Sequence, residues 1–274
     1  MPLITWQDTL RCMDVQAIGD DLYTADHIPM PYHRVFGGQL LAQAIAVSAA
    51  VGEGKSVKSL HVTFPAEGDL AEPVHYAVRL LRSGRTFTAL GIEATQASRG
   101  CILSAAVSLH ASEDGFSHQV DAPAVDGPEA ATPMDLSMIP WETRVIGGVD
   151  LAAREVGPPE YAFWMRTPEL GEEPVLHQGL LAHATDLTAI GTALRPQPGV
   201  GEADAPDRIQ SAVTSHTIWF HRPFRVDDWL LVHQRSPLAA GSRGFAQGDV
   251  FTVSGGLVAS FAQESLLRLR DSPA

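Results

Sequence analysis

The sequence has few of the features that mark disulfide-linked, metal-binding or membrane-spanning proteins. Its 274 residues include only two cysteines, Cys12 and Cys101, and no CxxC pair, so we expect free thiols. The histidines show no HExxH or other metal-ligand spacing, and we expect no bound metal or cofactor. No apolar run reaches the roughly 18 residues that a membrane span requires. Without these features, the protein is expected to be stabilised by a hydrophobic core.

Basic residues are also scarce. Lys and Arg number 19 against 32 Asp and Glu, which gives a net charge of −13. Sequence-independent binding of nucleic acid depends on neutralising phosphates with Lys and Arg, so we expect no nucleic-acid partner. The first eight residues hold no basic stretch followed by an apolar core, which predicts no secretory signal and a cytoplasmic location.

One acidic residue, Asp186, interrupts an otherwise apolar segment. Residues 175–194 show helical periodicity, carried by Leu176, Leu180, Leu187, Ile190 and Leu194. Aspartate is unfavourable inside a helix because its short carboxylate competes for backbone groups. Two interpretations stay open. The carboxylate lies on a solvated face or is held by structural hydrogen bonds, or it is desolvated and serves as a general base in a cleft.

The same order of elements occurs twice along the chain. A small-residue helix beginning at Gly37 and the helix over 175–194 are each followed by two strands, a glycine turn and a long hairpin. The turns are at 83–85 and 241–244. The predicted strands are 57–64, 75–81, 86–96 and 102–110, and then 211–220, 229–234, 245–253 and 257–267.

A segment rich in Pro, Ala and acidic residues separates the two halves. We predict modules at 1–120 and 146–274, with a linker at 121–145. A second proline-containing stretch, 195–207, is expected to be a mobile surface loop. The predicted class is α+β, a tandem hotdog in which each module wraps an antiparallel sheet around a long central helix.

Four segments make the interpretation more specific. They are Arg34–Gln39, Leu181–Leu187, Trp219–Phe224 and Gly256–Ser260, and in this order they resemble the acyl-CoA thioesterase II family. The resemblance spans nearly the whole chain. It implies a double hotdog fold and hydrolysis of fatty acyl-CoA to the free acid and CoA.

The resemblance also implies a site made of an Asp, a hydroxyl residue and a Gln, which together activate a water. The Asp corresponds to Asp186 and the Gln to Gln263. The hydroxyl position falls on Val213, which has no hydrogen-bonding group. Alternate residues of a strand share a face, so Ser215 or Ser211 is the predicted substitute.

The oxyanion of the reaction needs hydrogen-bond donors. Backbone N–H groups at a helix N-terminus supply them, and Gly37 and Gly38 precede or begin such a helix. Simple helix–sheet packing is the alternative role for these glycines. We expect the acyl chain to lie in an apolar groove near Phe64, Trp219 and Phe220, which could equally be ordinary core residues.

The phosphates of CoA need cations at the mouth of the site. Arg82, Arg85 and Arg222 are the candidates, although ordinary surface arginines fit the same sequence. By resemblance alone, the protein is expected to be a homodimer or homotetramer.

Two other functions stay open. A hotdog enoyl-CoA hydratase or dehydratase sets an Asp and a His close together, and His183 lies three residues before Asp186. A non-catalytic module that binds acyl-CoA would explain the valine at position 213.

Overall fold

The computed structural model describes residues 4–28, 30, 32–136, 138–204 and 207–270. Within this part of the chain the helices are α1 (Trp6–Cys12), α2 (Gly37–Val51), α3 (Pro174–Thr185) and α4 (Ala189–Leu194). Short 3-10 turns occur at Ile146–Gly148 and Glu202–Asp204. The strands are β1 (Gln16–Gly19), β2 (Leu22–Ala25), β3 (Ser56–Thr63), β4 (Val74–Ser83), β5 (Phe87–Gln96), β6 (Gly100–His110), β7 (Thr132–Pro133), β8 (Glu142–Val145), β9 (Glu160–Arg166), β10 (Ile209–Phe220), β11 (Leu230–Ala240), β12 (Arg243–Thr252) and β13 (Leu257–Leu269).

Helix α2 is buried along most of its length. Every residue from Gly37 to Ser48 is shielded from water. Its glycines and alanines allow the neighbouring backbone to come close, and its polar side chains are satisfied inside the core. Gln43 Nε2, for example, donates to the carbonyls of Cys12 and Asp26 at 2.9 and 2.8 Å. The helix is therefore a central element held by packing and by buried hydrogen bonds.

The second apolar segment is not one helix. The prediction of a continuous helix over 175–194 is wrong, because α3 ends at Thr185 and α4 begins three residues after Asp186. Asp186 occupies the C-cap position of α3, and the Thr185 hydroxyl bonds back to the carbonyl of Ala182 at 3.0 Å. Threonine and aspartate side chains compete with backbone hydrogen bonding, and the run Thr-Asp-Leu-Thr concentrates this competition at one point.

The described strands form one antiparallel sheet in the order β1-β2-β4-β5-β6-β3-β10-β13-β12-β11-β9-β8-β7. Strands of the first half occupy one side and strands of the second half the other. The two sides meet where β3 pairs with β10, from Thr63 opposite Ser215 to Ser59 opposite Trp219. This ladder pairs two strand edges that would otherwise be open to solvent.

Helices α2 and α3 pack against each other, and one hydrophobic core draws side chains from both halves. The end of α3 thereby lies beside the start of α2. A Cβ on Gly38, in the first turn of α2, would come within 2.5 Å of the carbonyl oxygen of His183 near the end of α3. This juxtaposition positions the candidate site.

The chain between the halves is irregular over 111–127, and β7 and β8 then lie within the segment predicted as a linker. The second proline-containing stretch packs more closely than expected. It contains a 3-10 turn in which buried Asp204 contacts Arg154 at 2.6 Å and Arg208 at 3.4 Å. Ala205 and Pro206 of that stretch lie outside the described residues, as do 1–3 and 271–274 at the ends of the two predicted modules.

Candidate active site

A cavity of about 810 Å³ lies between the two halves of the chain. The first half contributes Arg34–Gly37 and Phe64–Gly68, and the second half contributes Asp186–Thr188 and Ser211–Thr214. Its size falls in the range of about 300–1,000 Å³ that is typical of small-molecule sites.

Asp186 is the buried carboxylate of this cavity. The residue is 5% exposed, and its Oδ1 has no hydrogen-bond partner among the described residues. Burial raises the pKa of Asp186 to about 7, while the backbone of Gly38 and the Arg34 guanidinium act in the opposite direction. A carboxyl with this pKa can accept a proton from water near neutral pH and return it. Asp186 therefore lies on no solvated face.

The first turn of α2 closes one side of the cavity against Asp186. A Cβ on Gly37 would lie 2.6 Å from Asp186 Oδ2 and 2.9 Å from Val213 Cγ1, so only glycine fits there. The N-cap residue Phe36 makes no side-chain hydrogen bond to the helix. The first N–H groups of α2 consequently have no partner within the helix and carry the positive end of its dipole.

Strand β10 changes register beside the cavity. The pairing with β13 shifts between Val213 and Ser215, and this irregularity lets Ser211, Val213 and Thr214 all line the cavity. Ser215, the predicted substitute for the missing hydroxyl, is not among the lining residues. Thr214 is, but its hydroxyl donates to the carbonyl of Glu264 at 3.0 Å.

Gln263 lies in a buried hydrogen-bonded chain rather than on the cavity lining. Its Oε1 is 2.9 Å from His216 Nδ1, and its Nε2 donates to Ser265 Oγ at 3.1 Å. On the other side, His216 Nε2 is 3.2 Å from the Oγ1 of Thr185, the residue before Asp186. Burial lowers the pKa of His216 to about 4, so the ring is neutral. No role for His216 was predicted from the sequence, yet this residue links Gln263 to the end of α3.

His183 does not reach the cavity. Its ring packs edge-on against Phe36, with the ring centroids 5.0 Å apart, and it is also 6.0 Å from the ring of Trp141. Burial lowers the pKa of His183 to about 4, although the backbone at Met138 and Gly38 acts in the opposite direction. The Asp and His pairing expected of a hydratase is therefore not directed at this cavity.

Arg34 is the arginine that lines the cavity, and its guanidinium donates to the carbonyl of Ser211 at 2.7 Å. The predicted phosphate-binding arginines lie elsewhere. Arg82 and Arg85 are exposed near the end of β4, and Arg222 bonds to a glutamine in the loop between the halves. None of these three lines the cavity.

Metal ligation has no candidate in the described chain, where no group of three or more His, Cys, Asp and Glu side chains is placed to hold an ion. Of the helices described, none has the length and apolar character to cross a membrane.

The fold and the cavity together define a hotdog-fold protein whose cavity is lined by a buried carboxylate. A hot dog fold protein of Alicyclobacillus acidocaldarius superimposes with a TM-score of 0.77 at 18% identity, over 97% of this chain and 98% of that one. At this identity the match bears on the fold alone. Two dehydratase domains also share the fold, at TM-scores of 0.52 and 0.56 and at most 14% identity.

More similar proteins identify the family. Residues 26–110 match the model of the acyl-CoA thioesterase N-terminal domain, and residues 144–266 match that of acyl-CoA thioesterase. Acyl-CoA thioesterase 2 of Haemophilus influenzae is 31% identical, over 96% of this chain and 97% of its own. An acyl-CoA thioesterase II, TesB2, of Mycobacterium marinum is 29% identical with a TM-score of 0.81, over 97% and 99%. The chain belongs to the acyl-CoA thioesterase family and hydrolyses the thioester of acyl-CoA, which confirms the resemblance predicted from the sequence.

Proposed function

We propose that Asp186 is the general base that activates water for thioester hydrolysis. The observation that carries this proposal is the buried carboxylate of Asp186, which has a pKa raised to about 7 and lines the cavity against the first turn of α2. General-base catalysis by a positioned side chain is worth about 10²–10⁴ in rate.

The reaction then follows from these groups. Asp186 takes a proton from water as the water oxygen bonds to the thioester carbonyl carbon. The N–H of Gly37 would stabilise the oxyanion, while the N–H of Gly38 is directed at the Asp186 carboxylate. Collapse of the tetrahedral intermediate breaks the carbon–sulfur bond, and Asp186 returns its proton to the CoA sulfur. Atoms and charge balance without a covalent enzyme intermediate.

Gln263 would hold the attacking water from the side of the sheet. A side-chain amide has two N–H donors, and Ser265 takes one of them. The second remains for a water between the buried chain and Asp186. The carbonyl end of the amide is fixed by His216, which orients this donor.

The acyl group would lie along the apolar part of the cavity. This lining comes from both halves and includes Leu40, Phe64, Leu136, Leu187, Ile190 and Leu266. The phosphates of CoA would then lie toward Arg34, the arginine that lines the cavity, which would bind them in place of its ion pair with Glu67. Arg82, Arg85 and Arg222 would take part only through the more distant parts of CoA.

The repeated order of elements supports one further proposal, and the family resemblance supports another. The chain would consist of hotdog modules at 1–120 and 146–274 joined through 121–145, with β3 and β10 as the seam. By the family resemblance alone, and not from the repeat, the protein would associate as a homodimer or homotetramer, which sedimentation equilibrium would measure directly.

The test of the mechanism is CoA thiol release from a panel of short, medium and long acyl-CoAs. Asp186→Asn preserves the shape of the side chain but removes the base, and we expect kcat to fall by about 10²–10⁴. Asp121→Asn, at an exposed position between the halves, is the matched control and should keep full activity. Full activity in Asp186→Asn would place the base elsewhere.

A further inference from the structure

The cavity has a second polar region beyond Asp186. It is formed by Tyr161 of β9, Thr188 just before α4, Asp150 in the loop after β8, and Glu202 of the 3-10 turn. Neither the family resemblance nor the hydrolytic mechanism uses these side chains.

Two hydroxyls in this region lack partners. Tyr161 and Thr188 are each 2% exposed, and neither the Tyr161 Oη nor the Thr188 Oγ1 has a hydrogen-bond partner among the described residues. Both residues line the cavity. A buried hydroxyl without a partner is costly, and buried polar groups in native proteins are nearly always paired. These two hydroxyls therefore point to a polar group that enters the cavity.

Glu202 faces the same space. Burial raises its pKa to about 7, and the nearby carboxylate of Asp150 adds to this effect. The Glu202 backbone N–H donates to the carbonyl of Leu151 at 3.0 Å, and the side-chain Oε2 lies 2.8 Å from where a Cβ on Gly191 would be. In the described chain no cation contributes to its pKa.

The neighbouring arginines are already engaged. Arg154 and Arg208 hold Asp204, and Arg195 donates to the backbone carbonyl of Glu160. The region therefore offers two hydroxyls, the Glu202 carboxyl and the neighbouring Asp150 carboxylate, and no described basic side chain neutralises Glu202.

We propose that this polar region binds a hydroxyl group carried on the acyl chain, so that hydroxyacyl-CoAs are preferred substrates. The proposal rests on the proposed function, since it assumes that the acyl group occupies this cavity. A hydroxyl both donates and accepts, which matches Tyr161 and Thr188 as well as Glu202. An ammonium group only donates and would leave the O–H donors of Tyr161 and Thr188 without an acceptor. A hydrocarbon chain end would leave all three groups unpaired.

The kinetic test compares medium-chain acyl-CoA with isomers in which a hydroxyl occupies each chain carbon in turn. We expect one position to raise kcat/KM by about five- to tenfold, the effect of one or two added hydrogen bonds. Tyr161→Phe and Thr188→Val remove single hydroxyls with little change of shape. Each should reduce the ratio of kcat/KM between the preferred hydroxylated substrate and the plain one. An amino-substituted chain is included, and a preference for it over every hydroxyl isomer would overturn the proposal.

A binding measurement separates this proposal from the mechanism. S-alkyl-CoA thioethers, in which a methylene replaces the thioester carbonyl, bind without turnover. Calorimetry should show the hydroxylated thioether binding about five- to tenfold more tightly than the plain one, whatever the role of Asp186. If the wild-type protein hydrolyses thioesters normally but shows no preference for any hydroxylated substrate, the proposed hydroxyl site is wrong and the mechanism is unaffected. If no thioester is hydrolysed but the hydroxylated thioether binds more tightly than the plain one, the mechanism is wrong and the hydroxyl site is unaffected.

Tyr32→Phe is the matched control, because Tyr32 lines the same cavity but its hydroxyl accepts from Arg34 at 3.1 Å. It should leave the ratio between hydroxylated and plain ligands unchanged. Equal loss of the ratio in Tyr32→Phe and Tyr161→Phe would show that the preference has no local origin. Equal affinity of the hydroxylated and plain thioethers for the wild-type protein would overturn the proposal outright.

Discussion

At the scale of single residues, the behaviour of Asp186 follows from the balance between its burial and its two favourable neighbours. Burial raises its pKa to about 7, and Arg34 opposes that shift. The base is active when ionised, so kcat/KM should fall about tenfold per pH unit below this value. Arg34→Gln removes the opposing charge and should move this acid limb to higher pH in a kcat/KM profile.

Glu202→Gln provides the control, since the pKa of Glu202 is also about 7. It should leave the limb in place. If the acid limb shifts in Glu202→Gln but not in Arg34→Gln, the titrating carboxyl is Glu202 and not Asp186, which contradicts the mechanism.

The same pKa has a consequence for stability. The ordinary value is 3.8, so between there and about 7 the folded protein holds a proton that the unfolded chain releases. Stability from this group is complete below the lower value and is lost as the pH rises through the upper one. Asp186→Asn has no carboxyl to titrate and so avoids this loss. Its free energy of unfolding relative to that of the wild type should therefore increase by about 2–3 kcal/mol between about pH 5 and about pH 8. Thermal unfolding at both pH values measures it, and a difference independent of pH would contradict the raised pKa.

Val213 tests whether the missing hydroxyl matters. The side chain lines the cavity and lies within 2.9 Å of where a Gly37 Cβ would be. Val213→Thr adds a donor beside Asp186, and one further hydrogen bond to the reacting water is worth about 1–1.5 kcal/mol, so kcat should rise about tenfold. Steady-state kinetics decide this. An unchanged kcat would mean that the water is held fully without a side-chain hydroxyl at this position.

At the scale of elements, the close approach of α2 to Asp186 is the feature that a substitution can disturb. Gly37→Ala would place a Cβ 2.6 Å from the Asp186 carboxylate oxygen, so the carboxylate or the helix must move. We expect kcat to fall by about 10²-fold, since small displacements in a catalytic site have effects of this size. Gly115→Ala, where a Cβ would meet nothing within 4 Å, should be neutral. Similar kinetics for both variants would remove the first turn of α2 from the mechanism.

The elements that the sequence predicted well are those with clear periodicity. Helix α2 and the long strands β3–β6 and β10–β13 lie close to their predicted ranges. The pattern missed β9, whose apolar run Tyr-Ala-Phe-Trp-Met has no alternation because both faces are covered. It also missed the break after Thr185, since hydrophobic spacing continues through α4 although the backbone does not.

The site was predicted less completely, because residues that are far apart in the sequence contact each other there. Asp186 could be singled out because a carboxylate in an apolar segment is unusual. Arg34 could not be chosen among the arginines, since its partner Ser211 is 177 positions away. His216 looked like any strand residue until its contacts with Gln263 and Thr185 were known.

At the scale of the whole molecule, the halves are joined by more than the covalent linker. The β3–β10 ladder and the packing of α2 on α3 both cross between them. A protease site inserted between Asp114 and Gly115, in an exposed irregular stretch, should therefore be cleaved without separating the fragments. Size-exclusion chromatography and thiol release should both match the intact protein within about twofold. Fragments that elute separately would show that the linker itself holds the halves together.

The close packing of Gly37 against Asp186 and Val213 also limits how the two halves of the chain can evolve. The glycine belongs to the first half, and the carboxylate and valine belong to the second, yet their atoms define one small volume. A recombination event within the linker would exchange Gly37 together with the first half, or Asp186 and Val213 together with the second half, and would leave the other residues unchanged. Chimaeras between relatives would therefore inherit intact halves but mismatched reaction centres, and the two halves are constrained to change together.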